Sequence, residues 1–125
     1  AVTASANQGL VLAIPGNYDV SALSDAAVAA GSPMQVADAM AYAPDKVFGV
    51  LIENLSASAA QTLTLAPGDS NPLNLGTIVV QPGGQALVYF PNGVDVGSST
   101  KNIKVTQGAA GTIGRLTLIV HSETD

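Results

Sequence analysis

A chain of 125 residues, 47% apolar and 10% charged, with no cysteine and a net charge of −5, is one domain's worth of sequence. It buries roughly two-thirds of its unfolded surface in a single core and needs neither disulfide nor metal to fold. The missing thiol removes cysteine catalysis, zinc ribbons and iron–sulfur clusters. Four basic residues, Lys46, Lys101, Lys104 and Arg115, are too few for a stripe that neutralises nucleic-acid phosphates or holds an anionic bilayer.

The charged share lies far below the usual ~25%. A surface of Ala, Gly, Ser, Thr, Asn and Gln suits a packed subunit, or a protein exposed outside cells, better than a free cytosolic monomer. No stretch approaches the ~18 continuous apolar residues of a spanning helix. Ala1-Val2-Thr3-Ala4 lacks the basic and apolar regions of a signal peptide. An initial Ala is what removal of either an initiator Met or a cleaved leader would leave.

In chain order, Ala1 to Asn7 is small and polar and reads as a flexible arm. Gln8 to Ile14 is a short apolar run ended by Pro15-Gly16-Asn17, the pattern of a strand. Asp19 to Ala30 reads as a short peripheral helix. Asp19 or Ser21 can cap it, five alanines favour it, and Gly31 and Pro33 stop it. Gln35 to Tyr42 fits strand and helix equally. Residues 8–45 as a whole are Ala-rich and carry few large apolar side chains, so they are expected to wrap a β core spanning 46–122.

Lys46 to Asn54 holds Val47, Phe48, Val50, Leu51 and Ile52 in near-continuous order, as in a strand buried on both faces. Gln61 to Leu65 alternates and ends at Pro67-Gly68-Asp69. Thr77 to Val80 and Gln85 to Phe90 flank Pro82-Gly83-Gly84 and read as a hairpin, broken at Pro91-Asn92-Gly93. Asn102 to Thr106 and Ile113 to His121 flank a further turn over Gly108 to Gly111. In the last strand Leu116, Leu118 and Val120 line one face, with Arg115, Thr117, Ile119 and His121 on the other. Seven or eight short strands with turns about every ten residues predict a mainly β, antiparallel sandwich or jelly roll.

Chemistry-bearing residues are sparse. The lone histidine, His121, has no nucleophile elbow to serve and reads as a surface side chain. Glu53 and Asp69 are the only carboxylates worth weighing as a facing pair, and each is more simply a solvated strand end or a turn former. Asp69-Ser70-Asn71 and Asn92-Gly93-Val94-Asp95 offer oxygens without calcium-loop spacing. No glycine pattern makes a nucleotide cradle. No catalytic residue, metal or cofactor is therefore assigned, and a role in building or binding is expected over catalysis.

The informative feature is apolarity on both strand faces. Ala86, Val88 and Phe90 form one face of their strand while Leu87 and Tyr89 lie on the other, and Ile119 interrupts the polar face of the last strand. Such residues either lie under the Ala-rich segment or make a subunit interface. Leu87, Tyr89 and Ile119 are the candidate interface residues. Tyr89 can also be read as an exposed platform for a sugar ring.

The stretch Val50 to Asn92, with Leu-Thr-Leu-Ala-Pro-Gly at 63–68, Ile-Val-Val-Gln-Pro-Gly-Gly at 78–84 and Ala-Leu-Val-Tyr-Phe-Pro at 86–91, resembles the β-sandwich structural proteins of bacterial viruses. Among these it is most similar in style to capsid decoration, or cement, proteins. That resemblance implies a virion-surface subunit, often trimeric, that bridges major capsid subunits and stabilises the assembled lattice. It also implies that an arm such as Ala1 to Asn7 orders on binding. The competing expectations are a carbohydrate or cell-surface binding module, weakened by the absence of Trp, and a self-assembling fibre or surface-layer subunit.

Overall fold

The computed structural model describes the backbone of residues 2–13, 16–22, 34–36 and 45–123, and the side chains of 19–21 and 45–120. Nine strands run through the described residues: β1 (Val2–Ala13), β2 (Gly16–Asp19), β3 (Met34–Val36), β4 (Lys46–Asn54), β5 (Leu63–Pro67), β6 (Ile78–Val80), β7 (Gln85–Asp95), β8 (Asn102–Gln107) and β9 (Ile113–Glu123). They form a five-stranded sheet, β3-β1-β9-β4-β7, and a four-stranded sheet, β2-β8-β5-β6. Every strand pairing is antiparallel.

Period-two alternation explains why the two sheets face each other. Val47, Val50 and Ile52 of β4 and Leu116, Leu118 and Val120 of β9 are fully buried from one side. Leu63 and Leu65 of β5, Ile103 and Val105 of β8, and Val80 of β6 meet them from the other. Leu73 and Leu75, in the connection between β5 and β6, close the core. Each large side chain in this layer contributes about 1.5–3 kcal/mol of burial. The arrangement is a two-layer antiparallel β-sandwich.

The pairings nest. β1 pairs with β9, β2 with β8, β4 with β7, and β5 with β6. The order resembles one long hairpin folded over into two layers, with β3 added outside β1.

Several local expectations change. From Val2 on, the residues read as an arm form the first half of β1, in register with β9 from Val2↔Glu123 to Ala13↔Ile113 with one irregularity between Thr3 and Ala6. The 8–45 segment does more than wrap the core. Its strand β1 lies inside the five-stranded sheet, between β3 and β9. The helix expected over Asp19 to Ala30 begins as a single 3-10 turn, Val20–Ala22. Asp19 caps that turn by accepting the Ser21 N–H at 3.0 Å. Residues 23–30 lie outside the described part, as does most of Gln35 to Tyr42; Gln35 and Val36 themselves belong to β3.

The hairpin expected across Pro82-Gly83-Gly84 is a corner between layers. β6 pairs with β5 in one sheet, while β7 pairs with β4 in the other. The turn chemistry is as read: Gly84 N–H donates to Gln81 O at 2.9 Å, and Gly83 sits at φ +78°. That places Pro at the first and Gly at the second central position of a type II turn. A tight turn ending both runs does not dictate that they pair with each other. β7 also runs on through Pro91-Asn92-Gly93 to Asp95, where a break was expected.

Asn54 ties this corner together and is 1% exposed. Its N–H donates to Gly84 O, and its carbonyl accepts the Gly83 N–H, both at 2.9 Å. Its side-chain Nδ2 donates to Gln61 O at 2.7 Å and Val80 O at 3.0 Å, and Oδ1 accepts the Ser56 N–H at 3.0 Å. A buried amide is tolerated only when satisfied in this way.

Candidate functional site on the five-stranded sheet

Residues directly opposite each other across antiparallel strands share a face. The pairings therefore define rows on the outer face of the five-stranded sheet. One row runs Tyr89–Gly49–Ile119, the next Leu87–Leu51–Thr117, and the next Gln85–Glu53–Arg115. Beyond them Leu55, whose N–H donates to Ile113 O at 2.8 Å, continues the alternation beside Ile113.

The first row depends on a glycine. A Cβ built on Gly49 would lie 3.1 Å from Ile119 Cδ1 and 3.2 Å from Tyr89 Cδ1. The two side chains therefore converge over the bare backbone of β4 and cover it from either side, a known way of protecting a strand glycine. On the core-ward side of β7, Ala86, Val88 and Phe90 pack against the core. The two faces of Gln85 to Phe90 are thus divided as the sequence alternation predicts.

Tyr89 is 64% exposed and Leu87 51%; Ile119 is half-buried. Among the described residues the exposed large apolar side chains are Leu55, Val79, Leu87, Tyr89 and Ile113. All but Val79 belong to this one face. The outer face of the four-stranded sheet is different. There Val79 shares a row with Thr64 and Thr106, and Lys104 lies opposite Ala66.

Charge on the five-stranded face lies in two rows: Gln85–Glu53–Arg115, where Arg115 Nη1 lies 3.9 Å from Glu53 Oε1, and Asp95–Lys46–His121 beyond Tyr89, where Lys46 Nζ lies 2.8 Å from Asp95 Oδ1. Between these rows lie Tyr89, Ile119, Leu87 and Leu51, and beyond Glu53 lie Leu55 and Ile113. Leu51, Leu55 and Ile113 were not singled out from sequence. Ile113 shares the parity of Arg115, Thr117 and Ile119, so its placement was readable. Leu55 lies just past the strand end, where alternation gives no signal.

The carboxylates weighed as a pair do not face each other. Glu53 lies on the five-stranded sheet beside Arg115, and Asp69 beyond the four-stranded sheet, 3.1 Å from Lys104 Nζ. Oxygens of the Asp69-Ser70-Asn71 loop hold that loop to β8. Asn71 O accepts the N–H groups of Lys101 and Asn102, and Ser70 O accepts from Asn102 Nδ2 at 2.8 Å. Asn92 to Asp95 belongs to β7, and Asp95 pairs with Lys46 at 2.8 Å. No group of three or more His, Asp or Glu side chains comes together among the described residues. His121 lies opposite Lys46 in the β9–β4 register.

No family model matches the chain, and neither a curated protein nor a solved structure shows significant similarity to it. What the geometry offers is a broad, weakly charged apolar face on one side of a β-sandwich.

Proposed function

We propose that the chain is a structural virion subunit that docks on an assembled capsid lattice and stabilises it, the role implied by its resemblance to decoration proteins. The observation that carries this reading is the concentration of Leu55, Leu87, Tyr89 and Ile113 on one sheet face, opposite a face of threonines and a lysine. Exposed apolar side chains gathered on one face of a chain with little charge suit a partner surface. A subunit that binds only the assembled lattice stabilises it by mass action, without any chemical step.

We also propose that the sandwich is a jelly roll. Setting β3 aside, the order β1-β9-β4-β7 over β2-β8-β5-β6 and the nested pairing support this reading. That architecture recurs in viral capsid and lectin domains. A second reading therefore has a specific observation behind it: the 64% exposed Tyr89 ring is suited to stacking on a sugar.

Cosedimentation with assembled, undecorated capsids of the parent virus tests the first reading. The protein is expected to pellet with capsids and raise their rupture temperature, and the Leu87→Ser/Tyr89→Ser double variant to do neither. Wild-type protein that stays in the supernatant and leaves rupture unchanged defeats the proposal. Tyr89-dependent binding on a glycan array would put the second reading in its place.

A further inference from the structure

We infer that β7 is a strand-pairing edge, and that its partner is β7 of a second copy of this chain, related by a two-fold axis at Leu87. Two sheets have four edges, here β3, β7, β2 and β6. Among the described residues β3, β2 and β6 are short, with three, four and three residues, although β3 covers only Leu10 to Leu12 of β1 and leaves the start of β1 on that edge. Short strands are a standard guard against edge-to-edge pairing, as are charges. β7 has 11 residues, and its stretch Gln85-Ala86-Leu87-Val88-Tyr89 carries no charge.

The free backbone groups of this edge can be identified. Asn54 N–H bonds towards Gly84, and Leu55 N–H towards Ile113. Successive residues of a strand bond to opposite neighbours, so from Val50 to Asn54, past the irregularity between Val47 and Gly49, even-numbered residues of β4 face β7 and odd-numbered ones face β9. Ala86 and Val88, opposite Ile52 and Val50, therefore turn their N–H and C=O groups to β4. Gln85, Leu87 and Tyr89 turn theirs to the open side, where no described strand pairs with them.

The register follows from chemistry. The next residue in that alternation is Pro91, which has no N–H to give. A pairing that avoids it spans Gln85 to Tyr89 and centres on Leu87. Leu87 then faces Leu87 of the second copy, and each Tyr89 faces a Gln85. The apolar rows of the two outer faces run on from one copy to the next. The contact is self-complementary, as a two-fold interface must be. It differs from the three-fold association implied by the family resemblance, and it does not depend on capsid binding.

The chain has no cysteine, so an introduced thiol reports on one contact alone. Residues directly opposite in an antiparallel pair have Cα atoms about 4.5–5.5 Å apart, within disulfide reach. Wild-type protein is expected to be a dimer by native mass measurement. Under mild oxidation Leu87→Cys should form a covalent dimer at least about tenfold faster than Val79→Cys, an exposed control on the edge strand β6. Leu87→Lys places like charges across the axis. It should weaken the dimer about tenfold or more and leave the melting of the monomer unchanged. A monomer or a trimer, cross-linking no faster than the Val79→Cys control, or a dimer unaffected by Leu87→Lys each overturns the inference. A dimer that ignores capsids removes the capsid reading and leaves this one standing.

Discussion

Asn54 and Leu87 lie on the paired strands β4 and β7, one buried and one exposed, and substitution at the two should give opposite results. Asn54→Leu keeps the branched shape and heavy-atom count but leaves the Ser56 N–H and the Gln61 and Val80 carbonyls without their partner. Each orphaned buried group costs about 1–3 kcal/mol. Urea unfolding should show a loss of about 3 kcal/mol or more with the slope unchanged. Leu87→Ser removes an exposed side chain and should change stability by about 0.5 kcal/mol or less. Gly49→Val lies between these cases. Its added methyls would enter the space where Tyr89 and Ile119 meet, costing about 1–3 kcal/mol. The Tyr89 ring resonances should move with it. Leu87, Tyr89 and Ile119 were legible in the sequence as misfits on faces expected to be polar. Asn54 was not, because the residue that closes an apolar run gives no sign of whether its side chain is buried.

Individual strands were more legible than their partners. β4 has the boundaries expected from its apolar run, and β9 presents Leu116, Leu118 and Val120 to the core as its alternation requires. Both are long enough for side-chain period to decide. The partner of a strand is set by which layer it enters, and Pro82-Gly83-Gly84 has the same local chemistry in a hairpin and in a corner. β1 was misread at its start because Val2 to Asn7 has small side chains. Its place in the sheet rests on backbone pairing with β9, which leaves little trace in composition. A loose arm could be deleted harmlessly. Deleting residues 2–13 should instead uncover the edge of β9, so that cooperative unfolding is lost and the protein aggregates on purification.

Over the whole molecule, the low charge leaves few electrostatic contributions to stability. The ion pairs Lys46–Asp95, Lys104–Asp69 and Arg115–Glu53 are all substantially exposed on at least one side, and exposed pairs contribute about 0–1 kcal/mol. In about 1 M salt, where screening acts within roughly 3 Å, the free energy of unfolding should fall by no more than about 1 kcal/mol. The core and the outer apolar face are insensitive to such screening, so association through that face should survive the same salt. Low charge was visible in composition, but which face collects the exposed apolar residues required the strand order.

The position of β9 has a consequence for how the protein is made. The last of the described strands occupies the centre of the five-stranded sheet, flanked by β1 and β4. During synthesis both neighbours leave the ribosome long before the strand that joins them. They wait with unpaired edges, and the nested pairing completes from the inside outward. Folds built from such distant pairings typically form in milliseconds to seconds, not microseconds. Nascent chains stalled before Ile113 should therefore be digested rapidly by protease. Resistance should appear in one step once β9 has cleared the exit tunnel.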